Sequence, residues 1–313
     1  MDTDKIKGML IGLALGDALG APHEFKYQHN EFVGRLVYPV KLFNRFHGET
    51  VFNVGSVTDD TQMTLILANQ IIKDKNYNRN NVILAYEEWA FTGKMLGKNT
   101  RALFKGVKTI KGYENRYNKI FSAPIEEWTQ SNGSLMRCSP LIIFNNFDNF
   151  IIDTKLSNPH PNNIDCGIIY LFILKSLAIK GVLPEIDTLE RCTKSVEIRD
   201  VINDVKNKVI RDIAPKAVRG WVITAFYCAL YSIYNIPDMN EAFKFFINKK
   251  GDTDTNAAIL GALYGAKLGF NKLNLDNINK NNIDILLNNN DILKDIDNIS
   301  NKLCDIYIIE KNK

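Results

Sequence analysis

An all-α fold is predicted for this chain of 313 residues, on two observations. Apolar residues recur at three- and four-residue spacing over most of the longer segments, and the alternation that marks strands is thin. Lys5 to Gly20 carries Gly8, Gly12, Gly16 and Gly20 four apart, on one helix face, where missing side chains let a neighbouring helix come close. Phe32 to Val40 alternates weakly, but Pro39 and the flanking glycines leave a loop or edge segment. The wider stretch Phe25 to Val57 lacks helical periodicity, and loops of that length commonly cover a site. Gln62 to Ile72, Asn81 to Phe91, Cys166 to Lys180, Gly220 to Tyr234, Asn240 to Asn248 and Thr255 to Leu268 each read as a helix. Between them, Pro159 and Pro161 punctuate a loop from Phe150 to Cys166. From Asn271 the chain turns to Asn, Ile, Asp and Lys. The expected organisation is one domain over 1–313 with an Asn-rich, peripheral C-terminal segment, 271–313.

A hydrophobic fraction of 45% and a charged fraction of 24% are those of an ordinary globular protein. Net charge is +4, and the lysines are scattered among Asn and Asp, so no nucleic-acid partner is expected. Cys138, Cys166, Cys192, Cys228 and Cys304 are odd in number and widely spaced, which argues against a disulfide framework and for buried, reduced thiols. Met9 to Ala21 is apolar but interrupted by Asp17 and too short to span a bilayer, and no other segment reads as a membrane span. A cytoplasmic, intracellular monomer without a membrane partner is the expectation.

Two acidic knots stand far apart in the chain. Thr58-Asp59-Asp60-Thr61 precedes the apolar run from Met63, and Asp252-Thr253-Asp254-Thr255 precedes an Ala/Gly/Leu run with Gly261 and Gly265 four apart. Each falls at a helix start, where short oxygen-bearing side chains cap free N–H groups and the dipole favours negative charge. Capping accounts for one knot taken alone, yet adjacent aspartates cannot both cap. Brought together, four aspartates would repel and raise one another's pKa, and a cation removes that cost. The donors are all hard oxygens, which suit Mg²⁺, Mn²⁺ or Ca²⁺. An EF-hand is rejected, since Ala and Leu replace its further ligands. Asp17 lies in an apolar helix, costly unless paired or near a cation, and Glu24 follows Pro22, free to reach a site or to pair with a lysine. Asn132-Gly133-Ser134-Leu135-Met136-Arg137 is a turn entering an apolar segment. Its N–H groups suit a phosphate or ribose, and Arg137 suits a diphosphate or a core carboxylate.

Gly16 to Glu24, Thr58 to Met63, Asn132 to Arg137 and Gly251 to Ala258, in this order, closely resemble the ADP-ribosylglycohydrolase family, across Lys5 to Gly269. The resemblance implies a compact orthogonal helical bundle with two Mg²⁺ or Mn²⁺ ions in a cleft. It assigns Thr58, Asp59 and Asp60 to one set of metal ligands and Asp252, Asp254 and Thr255 to the other. Glu24 and Asp60 become the residues that orient or deprotonate water. Asp17, Gly97, Asn132, Gly133, Ser134, Asn158 and His160 fall on the substrate side, with Gly97 opening a Gly-x-x-Thr turn that lines the cleft and Asn132 to Ser134 on an ADP-ribose-binding loop. Gly220-Trp221-Val222 resembles the start of the helix that leads to the second knot. Two departures stand out. Asn158 occupies the position of a histidine in Leu-Thr-His-Pro-Asn-Pro, with His160 two residues on, and Lys250 replaces the first of two glycines before Asp252. No carboxylate stands just before Gly97, where some arginine-type relatives have one.

The implied reaction cleaves the bond between the ribose C1″ of ADP-ribose and a protein side chain, arginine or serine, with ADP-ribosylated protein and ADP-ribose as partners. Two other readings remain at this point, a non-catalytic ADP-ribose-binding member of the fold and a two-metal nucleotide phosphohydrolase.

Overall fold

The computed structural model describes every residue except 25–30, 45–47, 94, 123–129 and 216, and omits the side chains of 42–44 and 48. The described residues form sixteen α-helices and one short antiparallel hairpin, so the fold is all-α as predicted. In chain order the helices are α1 (Thr3–Glu24), α2 (Asp59–Asp74), α3 (Arg79–Thr92), α4 (Lys98–Phe104), α5 (Ile110–Ile120), α6 (Gly133–Arg137) and α7 (Asp148–Thr154). There follow α8 (Pro161–Lys180), α9 (Ile186–Leu189), α10 (Val196–Lys206), α11 (Val222–Asn235), α12 (Met239–Asn248), α13 (Thr253–Leu268), α14 (Phe270–Leu273), α15 (Asn277–Asn289) and α16 (Ile296–Lys311).

Helix α1 is buried on nearly every side from Gly8 to His23, as expected of a helix with no polar face. Its glycine stripe meets α13 in antiparallel order. A Cβ built on Gly12 would lie 2.3 Å from the Gly261 carbonyl oxygen, one on Gly16 would lie 2.1 Å from that of Ala257, and one on Gly20 would lie 2.2 Å from that of Thr253. Gly261 and Gly265 return the contact, each leaving room for a carbonyl of α1. Backbone therefore touches backbone along four turns, and the C-terminal end of α1 is set beside the start of α13.

The stretch expected to be a loop, Phe25 to Val57, contains the hairpin of β1 (Pro39–Asn44) and β2 (Gly48–Val54). The weak alternation and the proline did not reveal these strands, because the pairing is local and the register shifts between Pro39 and Lys41. The Asn-rich C-terminal segment packs closely against the rest. Ile283, Leu286, Ile299 and Leu303 join the core, and buried asparagines bond the backbone of the first loop. Asn282 accepts from Leu36 N–H at 3.0 Å and donates to the Gly34 carbonyl at 2.9 Å. Asn290 accepts from Val57 N–H at 3.1 Å and donates to the Gly55 carbonyl at 2.8 Å.

Helix α8 corrects the expectation that no segment is long enough for a membrane. Its 20 residues, with a mean hydropathy of 1.3, have the length and composition of a span, yet it is mostly buried and packs on α11 and α13. Pro161 at its first position, His160 accepting from Asn162 N–H and Gly181 in the left-handed region delimit it. Among the cysteines, Cys192 is exposed and the other four are buried, with all five as free thiols.

Replacing Gly12 by Ala forces α1 and α13 apart, because the added methyl meets backbone and no rotamer relieves it. A loss of about 3 kcal/mol or more is expected for G12A in denaturant melts, at the upper end of overpacking costs. A loss under about 0.5 kcal/mol would show that the helices are not locked at this contact.

Candidate active site

Three chain segments converge where α1 ends and α2 and α13 begin. Asp17, fully buried on α1, reaches the open end of α2, and its carboxylate accepts from Thr58 N–H at 2.9 Å, Thr61 N–H at 3.1 Å and the Thr61 hydroxyl at 2.5 Å. A helix normally capped from its own chain is here capped by a carboxylate of another helix as well. Thr58 is the local N-cap, accepting from Asp60 N–H at 3.4 Å and donating to Asp60 Oδ2 at 3.0 Å. Thr255, on the first turn of α13, donates to the same oxygen at 3.3 Å. The two knots are thus joined through Asp60, although nearly two hundred residues separate them.

Two carboxylate trios result, with ligand atoms within 4.8 Å of one another in each: Asp17, Asp60 and Asp254, and Glu24, Asp252 and Asp254. Asp254 belongs to both. Asp60 Oδ1 is buried without a hydrogen-bond partner among the described residues, a strong acceptor that a cation would satisfy. The donor set is entirely oxygen, as divalent Mg²⁺, Mn²⁺ or Ca²⁺ requires. Burial pushes Asp17 up to about 6, against the pull of its bonds to Thr61 and Thr58. At Glu24, burial and the adjacent Asp252 raise the value to about 8. Burial raises Asp59 to about 7, and drives Asp60 and Asp254 well above the ordinary carboxylate range with help from neighbouring carboxylates.

Asp59 lies outside both trios. It is half-buried, and its Oδ2 accepts from Gly97 N–H at 3.0 Å, fixing the exposed start of α4 against the first knot. Asn132 donates to Asp252 Oδ2 at 2.8 Å, which ties the loop before α6 to the second knot. Gly133 remains half-exposed beside the Asn158 carbonyl oxygen. Three residues assigned to the substrate have almost no exposed surface: Asp17, Ser134 and Asn158. Ser134 accepts from Asn163 at 3.1 Å. Asn158 donates to the Ser131 carbonyl and hydroxyl at 2.9 and 2.8 Å, and accepts from the Ser157 hydroxyl at 2.7 Å. These side chains brace Ser131 and the Asn132 loop from within the core. His160 is half-buried and caps α8, and burial lowers its pKa, in keeping with the neutral ring that accepts from Asn162 N–H at 3.1 Å.

Arg137 pairs with a core carboxylate and not with a ligand. It is buried, bonded to Asp153 Oδ2 at 2.8 Å, to the Gly133 carbonyl at 3.0 Å and to the Ser157 hydroxyl at 2.8 Å, and so braces the Asn132 loop from behind. Lys250, at the position of the replaced glycine, has φ of 65°, a left-handed conformation that a glycine adopts without strain. Sequence reasoning missed the bond from Asp59 to Gly97 and the place of Arg219, neither of which carries a spacing signal. Gly220 was noted only as a helix start. Its φ of 83°, and the 3.2 Å that would separate an added Cβ from Asp252 Oδ2, show that the second knot needs a glycine there.

Residues 1–304 match the profile of the ADP-ribosylglycohydrolase family. The chain belongs to this family. An ADP-ribosylarginine hydrolase, Tri1, of Pseudomonas putida is 26% identical over 286 residues, covering 85% of this chain and 71% of that protein. The ADP-ribosyl-(dinitrogen reductase) glycohydrolase of Rhodospirillum rubrum is 21% identical over 279 residues, covering 85% and 86%. A solved chain of an ADP-ribosylglycohydrolase-related protein complex superposes with a TM-score of 0.66 at 20% identity, covering 97% of this chain and 98% of that one, and it shares the fold. In this member of the family the two acidic knots, far apart in sequence, meet around one point.

The raised carboxylates make the cation-free protein pH-sensitive. Each prefers its proton in the fold, so their contribution to stability is intact below the unfolded carboxylate values near 4 and is lost as pH rises through about 6, 7 and 8. Melting temperature without divalent cations should fall between pH 5 and pH 8. Saturating Mg²⁺ or Mn²⁺ should restore it at pH 8, with about 2.7 kcal/mol gained at a hundredfold excess over Kd. An Asp60→Asn variant should melt higher than wild type without cations and gain less from them. Equal metal-induced shifts in the two proteins would remove Asp60 from the cation site.

Proposed function

We propose that this protein is a metal-dependent hydrolase that releases ADP-ribose from modified arginine side chains. The observation that carries the reading is the pair of carboxylate trios sharing Asp254, set beside the Asn132 loop in a chain of this family. Arginine is chosen as the acceptor because relatives from two bacteria, Pseudomonas putida and Serratia proteamaculans, are ADP-ribosylarginine hydrolases. Two Mg²⁺ or Mn²⁺ ions, one for each trio, would supply Lewis acidity toward the ribose oxygens and toward water.

Water adds to C1″, the C1″–N bond to the guanidino nitrogen breaks, and the proton released from water ends on that nitrogen. Glu24 is the proposed proton carrier, since it lies half-buried at the mouth, next to Asp252 and Asp254, where a proton can enter and leave. Asp60 serves as a ligand, its Oδ2 oriented by the hydroxyls of Thr58 and Thr255 and its Oδ1 left free. Asp59 holds the start of α4 through Gly97 N–H. Asp17 acts from behind, by keeping the start of α2 against the site.

Incubation with arginine-ADP-ribosylated and serine-ADP-ribosylated proteins, with and without Mg²⁺ or Mn²⁺, tests the reading through the product. Free ADP-ribose from the arginine substrate, only with metal, is the expected result. AMP would indicate a phosphohydrolase, and tight ADP-ribose binding without turnover a binding protein. Glu24→Gln should lower kcat by about 10²-fold or more, and, because Glu24 belongs to the second trio, it should also reduce the cation-induced melting shift. Undiminished turnover in that variant would exclude Glu24 as the proton carrier.

A further inference from the structure

Arg219 is placed by two contacts of the turn that leads into α11. A Cβ added to Gly251 would lie 3.8 Å from Arg219 Cβ, so Arg219 packs against the residue that opens the second knot. On its other side, the Gly220 carbonyl accepts from Asn132 N–H at 3.0 Å, and Trp221 is bridged to Ser131. The chain here runs between the Asn132 loop and the start of α13, with Arg219 on its exposed side. Arg219 is exposed, and its positive charge is close enough to favour ionised Glu24. Its side chain nevertheless makes no ion pair or hydrogen bond with another described residue.

The nearby carboxylates have other partners. Asp252 accepts from Asn132, and Glu24 and Asp254 face one another within their trio. An exposed guanidinium without a hydrogen-bonded partner, beside an acidic site and the Asn132 loop, is matched to an anion that arrives from solvent. Its planar set of N–H donors suits the paired oxygens of phosphate groups. The proposed substrate carries its negative charge in the diphosphate.

We propose that Arg219 binds the diphosphate of ADP-ribose, an inference that rests on the hydrolase reading above. It also separates the work of the rim from that of the floor: Arg219 holds the substrate and the carboxylates hold the cations. A solvated arginine with no ligand would leave every substrate parameter unchanged on removal.

Titration of ADP-ribose into Mg²⁺-saturated wild type, Arg219→Ala and Arg219→Lys, with steady-state release of ADP-ribose in parallel, decides the matter. Arg219→Ala should weaken ADP-ribose binding by about 10- to 100-fold, as expected for loss of charge-assisted hydrogen bonds. It should raise KM by a similar factor with kcat within about threefold. The lysine variant should recover part of the loss, and the melting shift from Mg²⁺ alone should be unchanged. Equal ADP-ribose affinity in wild type and Arg219→Ala would overturn the assignment while leaving the hydrolase reading intact, as would a fall in kcat at constant KM. A wild type that neither binds nor releases ADP-ribose overturns both.

Discussion

The contact between the backbones of α1 and α13 is the constraint from which the site follows. Glycines at 8, 12, 16 and 20 meet Gly265, Gly261, Ala257 and Thr253 in reverse order, so sliding one helix along the other would drive a Cβ or carbonyl into the partner. Helix axes usually stay 8–10 Å apart because side chains fill the space between them. Here there are none along the seam, and the register of the two helices is set by hard contact. That register places Asp17 and Glu24 level with Asp252 and Asp254. Asp17 then draws in the start of α2 through two N–H groups and a hydroxyl, and the third segment of the site follows.

The arrangement concentrates negative charge, and the fold bears the cost. Asp60 and Asp254 are buried among like charges, and one oxygen of Asp60 has no partner. Such groups destabilise the protein when ionised and unliganded. They persist because the surrounding packing is sufficient to hold them, with the whole of α1 and α13 in the core. The buried pair of Arg137 and Asp153 has a different part. Through four bonds donated by Arg137, it fixes the loop that carries Asn132 and Gly133 from within the core.

Much of this was legible in the residues. The four-residue glycine spacing announced a close helix contact, and the twin Thr/Asp knots announced a shared acidic centre. What single motifs could not reveal was which oxygen faces which partner. Asp59 and Asp60 are adjacent and chemically identical, yet on a helix adjacent side chains diverge by about 100°, and so Asp60 enters the trio while Asp59 turns to Gly97. Asp17 was legible as anomalous, a carboxylate in an apolar helix, but its bonds to α2 depend on tertiary placement. The hairpin escaped notice because Pro39 and the register shift beside it interrupt the alternation, and Arg219 because one arginine in a turn has no periodicity.

The ends of the chain are stitched together. Asp4 accepts from Asn271 N–H at 2.9 Å, Lys7 pairs with Asp297 at 2.6 Å, and the Cys304 thiol donates to the Met1 carbonyl at 3.0 Å. Helix α1 and its partner α13 are separated by some 230 residues of chain between Glu24 and Thr253. At about 5–20 residues per second, that amounts to tens of seconds during which a largely apolar helix has no native surface to cover it. The seam that gives the site its precision is thus also a long-range one, and contacts of such sequence separation slow the folding that must precede any activity.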